Sequence, residues 1–352
     1  MQNSMPPSML AARMYKINEP LKIERIPIPE IGSLDVLVKV KACGICHSDL
    51  HLLQGVVPLP EYPRTFGHEI AGVIQSVGSG VKEWKTGDRV CVYFLITCGN
   101  CFFCRTGRES LCLNRITMGA LTDGGYAEFV KVPARNLIKL PEKIPFDQGA
   151  ILTDAVATPF HAIVKRSQMK LGDTIAIFGV GGLGAHAIQI AKINGAGKVI
   201  AVDVLDTALK RAKLFGADIA INSQGDDPIK VIQEATGGIG VDVAFEFVGI
   251  KKSIEQAIAS VRRGGRAVVS GIGDQEPKLL PAVIFARFEI EVVGSYAFEK
   301  TEIERIVEMV SIGKLDLSHS VTHRIRLDQV NEGLKQLEEK QGDPLRIVIV
   351  FE

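Results

Sequence analysis

The chain has 352 residues, with 41 Lys plus Arg against 40 Asp plus Glu, so its formal net charge at pH 7 is only +1. The chain therefore lacks the excess of positive charge typical of proteins that bind nucleic acid or acidic membranes, and we expect a small-molecule partner. Seven cysteines, and an N-terminus without a basic start and apolar core, predict a cytoplasmic protein with reduced thiols. Charges and glycine turns interrupt every long apolar run, which argues against a membrane span.

The first part of the chain, up to about residue 155, consists of short alternating segments separated by Gly, Pro and Asp, which predicts a β-rich region. The alternating run 36–41 predicts a half-buried strand, and Cys43 to His51 follow it with two thiols, two imidazoles, a hydroxyl and a carboxylate. Thiolate and imidazole are ligands that zinc prefers. Spacing alone does not separate Cys43 from Cys46, and small buried cysteines are the alternative interpretation.

A histidine and a glutamate, His68 and Glu69, follow about twenty residues later beside another predicted strand. His68 can supply a nitrogen ligand, and Glu69 can hydrogen-bond a ligand or approach a metal directly. The alternative for His68 is a buried structural histidine.

Four further cysteines form the pattern Cys-x2-Cys-x2-Cys-x7-Cys in a glycine-bearing segment, namely Cys98, Cys101, Cys104 and Cys112. This spacing is what a closed tetrahedral site of four thiolates requires. A reduced compartment argues against disulfides, and an iron–sulfur cluster is the competing interpretation. Cys91, within an apolar run, is predicted to lie in the core.

From about Lys170, predicted strands and helices alternate along the chain. This alternation predicts a doubly wound parallel sheet. The six predicted strands are 175–178, 198–202, 219–221, 241–247, 266–270 and 289–293. A helix near 302–312 and an apolar strand at 346–351 follow.

A glycine-rich turn lies between the first of these strands and a predicted helix, with the sequence Gly179-Val-Gly181-Gly182-Leu183-Gly184. Together with Asp203 at the end of the next strand, it completes a dinucleotide-binding fingerprint, for which a flavin is the rival ligand. The glycines allow a pyrophosphate to approach backbone N–H groups at the helix N-terminus. Asp203 would accept both ribose hydroxyls and repel a 2′-phosphate, and Val204 and Leu205 offer no arginine, which favours NAD over NADP.

The stretches 44–51 and 67–72, with the Val77-Gly and Gly87-Asp-Arg-Val segments that follow, resemble the zinc-dependent alcohol dehydrogenases of the medium-chain dehydrogenase/reductase superfamily. The resemblance covers essentially the whole chain. It implies an α/β protein with a β-rich GroES-like catalytic domain and a doubly wound Rossmann cofactor domain. The implied boundaries are 1–157 for the catalytic domain with both zinc sites, 158–295 for the NAD-binding domain, and 296–352 for a return segment that completes the catalytic domain.

The resemblance implies two zinc ions per chain. The catalytic zinc would be held by Cys46, His68 and Asp154, with Glu69 as a nearby or exchangeable ligand, and Cys43 would not bind it. Many relatives carry a cysteine where Asp154 stands, and a helix cap is the alternative for this residue. The four-cysteine segment would hold a structural zinc.

The resemblance also implies the residues around the cofactor and the reaction. His47 and Arg346 would touch the pyrophosphate, and Thr158 and Leu183 would border the nicotinamide. Ile272 would also bind the cofactor. A basic residue found in some relatives is replaced here by Ala208. Ser48 and His51 would carry the proton from a buried alcohol to solvent.

The predicted reaction is hydride transfer between a primary or secondary alcohol and NAD, giving an aldehyde or ketone. The resemblance implies an apolar substrate pocket lined by Val57, Phe94, Met118 and Ile272. A related dehydrogenase acting on a polyol, amino alcohol or hydroxyacyl thioester is the nearest alternative, and a non-catalytic nucleotide- or zinc-binding protein is a remoter one. Relatives of this length imply a homotetramer or homodimer.

Overall fold

The computed structural model describes residues 7–352, and these form two compact units. One unit comprises the described residues up to Asp154 together with Glu299–Glu352, and the other comprises Ala155–Phe298. The predicted division of roles between a catalytic and a cofactor domain stays a prediction.

The strands are numbered in chain order across both units. They are β1 (Ser8–Met14), β2 (Lys22–Pro27), β3 (Asp35–Ile45), β4 (Arg64–Thr65), β5 (Glu69–Val77), β6 (Arg89–Val92), β7 (Leu95–Ile96), β8 (Ile116–Thr117), β9 (Phe129–Pro133), β10 (Leu137–Lys139), β11 (Thr174–Phe178), β12 (Lys198–Asp203), β13 (Ile219–Asn222), β14 (Val241–Glu246), β15 (Val261–Val269), β16 (Glu291–Gly294), β17 (His323–Ile325) and β18 (Ile347–Val350).

The α-helices are numbered in the same way. They are α1 (His47–Leu53), α2 (Phe102–Arg105), α3 (Phe146–Ile151), α4 (Ala157–His161), α5 (Gly184–Ile193), α6 (Asp206–Leu214), α7 (Pro228–Ala235), α8 (Lys251–Ser260), α9 (Ala282–Arg287), α10 (Lys300–Ser311) and α11 (Val330–Glu338).

The first unit is built around β3, which pairs antiparallel with β5, β9 and β18. The larger sheet has the order β10-β6-β5-β3-β18-β17, with β9 also on β3. β1 joins β2 and β4 in a smaller sheet, and β7 pairs with β8. Val36, Leu37 and Val38 are all buried, so β3 is more enclosed than the predicted half-buried strand, because α3 packs on it as well. Strand pairing and burial therefore fix the position of the residues at the end of β3.

The second unit contains a parallel sheet in the order β13-β12-β11-β14-β15-β16. Its central strands are mostly apolar, as expected for a sheet covered by helices on both faces. Ile175, Ile200 and Phe245 are fully buried there. The predicted β-rich domain with a doubly wound Rossmann sheet is confirmed. The last predicted strand begins two residues late, at Glu291, because Glu289 has a left-handed φ of 52° and turns the chain.

Helix length bears on the predicted absence of a membrane span. Within residues 7–352, every helix is too short or too polar to cross a bilayer.

Candidate active site and cofactor site

Four side chains from separate parts of the first unit converge beside the end of β3. Cys46 is the N-cap residue of α1, His68 and Glu69 lie at the start of β5, and Asp154 lies in a π-helical turn, Leu152–Val156, that follows α3. Their ligand atoms all lie within 4.8 Å of one another. The structure therefore brings together the four residues predicted for the catalytic zinc.

The distances in this group fit a small tetrahedral ion. The Sγ of Cys46 lies 3.2 Å from the Oδ2 of Asp154, and the Nε2 of His68 lies 3.5 Å from the same oxygen. Zinc bond lengths place neighbouring tetrahedral ligands about 3.3–3.8 Å apart. Sulfur, imidazole nitrogen and carboxylate oxygen are also the ligand types that zinc takes, so the donor set fits the metal.

The electrostatics of the group fit a cation as well. Burial raises the pKa of Glu69 to about 8, with Arg346 opposing this rise and Asp154 adding to it. Burial disfavours charge on His68, but the carboxylates of Asp49 and Asp154 outweigh it and raise the pKa of the imidazole well above its usual range. The Oε2 atom of Glu69 is buried without a hydrogen-bond partner. A divalent cation bound here would supply positive charge to these buried acceptor atoms and stabilise them.

Arg346, predicted to touch the cofactor pyrophosphate, is buried against this group. Its guanidinium is paired with Glu69, and its Nη2 lies 3.4 Å from the Oδ2 of Asp154. Arg346 directly precedes β18, whose antiparallel pairing with β3 fixes its position. Its role toward the cofactor stays a prediction.

Asp49 is a site residue that the sequence analysis missed. It is fully buried, and its Oδ1 lies 3.5 Å from the Nδ1 of His68. Its Oδ2 accepts hydrogen bonds from the backbone N–H of Cys46 at 2.9 Å and from the hydroxyl of Tyr126 at 2.8 Å. Metal-binding histidines commonly present their second nitrogen to such a carboxylate. The available signal was its place among the thiols and imidazoles of residues 43–51, but an acidic residue three positions after Cys46 also has the spacing of a helix cap.

The residues predicted for the proton path lie on α1. The Oγ of Ser48 lies 3.4 Å from the Nε2 of His68, at the edge of the ligand group. His51 is half-buried one turn later, and its ring meets the exposed ring of His47 edge-on with 5.6 Å between centroids. Residues three apart share a helix face, so Ser48 and His51 point the same way.

Cys43 lies outside the ligand group. It is fully buried, its thiol faces the carbonyl of Gly44, and burial raises its pKa well above the usual thiol range. The geometry therefore separates Cys43 from Cys46, which spacing alone did not do.

The other four cysteines form a second group in the loop between β7 and β8. The sulfur–sulfur distances are 3.5 Å for Cys98 with Cys112, 3.5 Å for Cys101 with Cys104 and 3.9 Å for Cys98 with Cys104. All four thiols are free, and their sulfurs lie within 4.8 Å of one another. Backbone N–H groups of Cys104 and Leu113 lower the pKa of Cys101 to about 6. These distances suit a tetrahedral tetrathiolate ion.

The glycine-rich turn of the second unit connects β11 to α5. A Cβ on Gly184 would lie 1.8 Å from the carbonyl oxygen of Gly179, so the strand and helix approach too closely for any side chain. A Cβ on Gly181 would meet nothing, which leaves open space over the turn. The Oδ2 of Asp203 accepts a hydrogen bond from the N–H of Val180 at 2.7 Å. The structure thus places Asp203, the candidate for ribose binding, beside the glycine-rich turn that contains Gly182 and Leu183.

The remaining predicted contacts are placed as follows. Thr158 is buried on α4 and Ile272 is exposed after β15, both in the second unit. Phe94 is buried with its ring edge-on to His68, with 5.1 Å between centroids, while Val57 is exposed. Met118 is buried. Their roles at a substrate or cofactor stay predictions.

Comparison with known proteins identifies the family. Residues 32–142 match the alcohol dehydrogenase GroES-like domain, and residues 182–311 match the zinc-binding dehydrogenase family. The chain is 38% identical to an alcohol dehydrogenase of Geobacillus stearothermophilus over 94% of this chain and 96% of that one. It is 34% identical to a sorbitol dehydrogenase of Bacillus subtilis (strain 168) over 99% of each chain.

A solved structure shows the same architecture. It is described as a zinc-binding dehydrogenase from Sinorhizobium meliloti 1021 bound to NADP, and it covers 98% of this chain and 99% of its own at 30% identity, with a TM-score of 0.91. The chain is therefore an oxidoreductase that belongs to the zinc-type alcohol dehydrogenase family of the medium-chain dehydrogenase/reductase superfamily.

Proposed function

We propose that the protein interconverts a primary or secondary alcohol with its aldehyde or ketone, using NAD and a catalytic zinc ion. The observation that carries this proposal is the convergence of Cys46, His68, Glu69 and Asp154 to within 4.8 Å in a buried cluster with an adjoining serine. Three protein ligands with a fourth, exchangeable position are typical of catalytic zinc.

The chain's own residues prepare this site. A zinc ion held there would supply the Lewis acidity that lowers the pKa of a substrate hydroxyl, and NAD would accept the hydride. Asp49 holds the ring of His68 so that its Nε2 faces the cluster. Arg346 pairs with Glu69 and balances its charge, which keeps this carboxylate from adding a negative charge beside the reacting oxygen.

Ser48 and His51 form the proton path in this proposal. Ser48 lies at the cluster edge, where its hydroxyl can accept the proton of the substrate hydroxyl and donate its own onward. His51, three residues further along α1, would release the proton to solvent.

The cofactor is proposed to be NAD, although the Sinorhizobium relative was solved with NADP. Asp203 ends β12 with its carboxylate already fixed by the N–H groups of Val180, Val204 and Leu205. A fixed negative charge repels a 2′-phosphate. The test compares kcat/KM with NAD and NADP for the wild type and for Asp203→Gly combined with Val204→Arg. The variant should shift preference toward NADP, and a wild type that already prefers NADP would contradict the proposal.

The substrate class is tested by a panel of alcohols. Purified, zinc-loaded protein should reduce NAD with uncharged primary or secondary alcohols, measured as NADH absorbance. The alternative, a polyol dehydrogenase, is favoured by the 34% identity to a sorbitol dehydrogenase, so sorbitol, L-threonine and a hydroxyacyl thioester belong in the same panel. Reduction of NAD by none of them would favour a non-catalytic binding protein.

A homotetramer, or at least a homodimer, is also proposed. β16 ends the parallel sheet with one edge unpaired among the described residues, and no residue of neighbouring α9 is fully buried. Val283 is 61% exposed there, which suits burial against a second copy. Light scattering should show an oligomer that Val283→Lys reduces in size. The control Leu171→Lys, at an 88% exposed residue elsewhere, should leave the size unchanged.

A further inference from the structure

A buried carboxyl group organises the loop that follows β14. Glu246, the last residue of this strand, is fully buried. Its Oε1 accepts hydrogen bonds from the N–H of Val248 at 2.8 Å, the N–H of Gly249 at 2.9 Å and the hydroxyl of Ser253 at 2.6 Å. One oxygen thus fixes both the loop and the first turn of α8.

The same residue fixes the loop that follows β15. The backbone carbonyl of Glu246 accepts hydrogen bonds from the N–H groups of Ser270 at 2.9 Å and Gly271 at 3.0 Å. A Cβ on Gly271 would lie 2.1 Å from the nitrogen of Gly249 and 2.7 Å from the Oε2 of Glu246, and one on Gly249 would lie 2.4 Å from the carbonyl oxygen of Ile272. The two loops therefore touch backbone to backbone, with the carboxyl group beside the contact.

These loops occupy a defined half of the dinucleotide site. The strand order runs from β11 through β12 to β13 on one side, and through β14 to β16 on the other. Dinucleotides bind across such a switch point, and the acidic residue at the end of β12, Asp203, marks the adenosine half. A Cβ on Gly179 would lie 2.4 Å from a methyl carbon of Val248, so the β14 loop adjoins the glycine-rich turn. Glu246 therefore lies on the nicotinamide half.

Each loop displays one accessible apolar side chain next to the contact between the loops. Val248 is 43% exposed and Ile272 is 47% exposed, although both loops are anchored from beneath. Burial raises the pKa of Glu246 against the opposing hydrogen bonds from Ser253 and the loop. Its Oε2 is buried without a hydrogen-bond partner. Burying a carboxyl group with an oxygen that lacks a hydrogen-bond partner costs free energy. Here the buried group holds the two loops that expose Val248 and Ile272.

We propose that Glu246 is a positioning residue for the nicotinamide half of the cofactor. It acts through the loops carrying Val248 and Ile272, which it ties to each other, and it does not itself contact the reacting atoms. This inference rests on the proposed NAD site and deepens it.

The experiment measures the affinities of the zinc-loaded, full-length protein for NADH and for ADP-ribose, which lacks the nicotinamide. Glu246→Ala should weaken NADH binding about tenfold and leave ADP-ribose within about twofold, because only one half of the site loses its support. Glu246→Gln keeps an oxygen acceptor and the shape of the side chain, so it should restore NADH affinity to within about threefold of wild type. The control Glu302→Gln, at a buried acid of the first unit, should change neither affinity.

A purely structural role would weaken both ligands equally in Glu246→Ala, and that result overturns the proposal, as does an unchanged NADH affinity. If Glu246→Ala does not fold, Ser253→Ala tests the same point by removing one donor. A selective loss of NADH affinity of about threefold then supports the proposal, and equal or absent losses overturn it. A wild type that binds neither ligand would refute the proposed NAD site itself, and the inference with it.

Discussion

The two groups of potential metal ligands differ in how the chain builds them. The cluster of Cys46, His68 and Asp154 draws on distant segments, is buried, and is surrounded by charged partners such as Asp49 and Arg346. The four-cysteine group comes from one loop. Its sulfurs accept hydrogen bonds from backbone N–H groups and contact one another. Three mixed protein ligands leave a fourth coordination position of the metal exchangeable, whereas four thiolates fill all the coordination positions. The comparison predicts chemistry at the first group and stability at the second.

The largest effect on turnover is expected at Asp154. Asp154→Ala should lose one of two zinc ions and reduce turnover at least about 100-fold, because Lewis acidity contributes several kcal/mol and each 1.36 kcal/mol is tenfold. Elemental analysis and NADH absorbance measure the two outcomes. Asp147→Ala, at a buried aspartate paired with Arg324, is the matched control and should keep both metals. An Asp154→Ala protein with two zinc ions and normal turnover would show that this residue is not a ligand.

A smaller effect is expected at Asp49, because it acts through His68. Asp49→Asn preserves the shape but removes the charge, and should weaken metal binding at the mixed cluster about 10- to 100-fold. Competition with a chelator measures this affinity while the four-cysteine site serves as an internal reference. Tyr126→Phe removes only one hydrogen bond to Asp49 and should have a weaker effect in the same direction. An equal loss at both sites would indicate general destabilisation instead.

His51 should matter less again, since solvent can replace it. His51→Gln should lower turnover about tenfold without changing zinc content or NAD affinity, because its role begins when the alcohol loses its proton. The loss should be largest at low pH, where hydroxide and buffer bases are scarce, and small basic buffers should restore part of the rate. Normal turnover of the variant at low pH, with no response to buffer, would assign the proton another route.

The smallest effect on turnover is expected at the four-cysteine group. Cys101→Ser should lose the second zinc ion and lower Tm by roughly 10 °C, the size expected for a few kcal/mol. Turnover well below Tm should stay within about twofold of wild type. Cys91→Ala, at a buried cysteine outside both groups, should keep both metals. A large loss of turnover in fully folded Cys101→Ser would break the distinction between the two sites.

Local sequence patterns predicted much of the fold and the four-cysteine site. The parallel sheet, the glycine-rich turn and the four-cysteine group depend on short spacings, which a sequence displays directly. The mixed cluster depends on contacts between distant residues, such as Arg346 with Glu69, 277 positions apart. Spacing alone therefore did not distinguish Cys46 from Cys43, and resemblance to relatives was needed for Asp154. Asp49 was missed because a carboxylate in the first helical turn has an ordinary capping explanation.

The pairing of β18 with β3 sets an order of events during translation. β3 and α1 leave the ribosome early, but Arg346 and β18 are made some 300 residues later. Until then, the β3 segment 42–45 lacks its β18 partner, and the carboxylate of Glu69 lacks its ion pair with Arg346. Domains generally fold as their segments emerge, N-terminal parts first. The first unit is an exception, because its central sheet is completed only after the entire second unit has been synthesised, and the charge of Glu69 is paired with Arg346 only at that late stage.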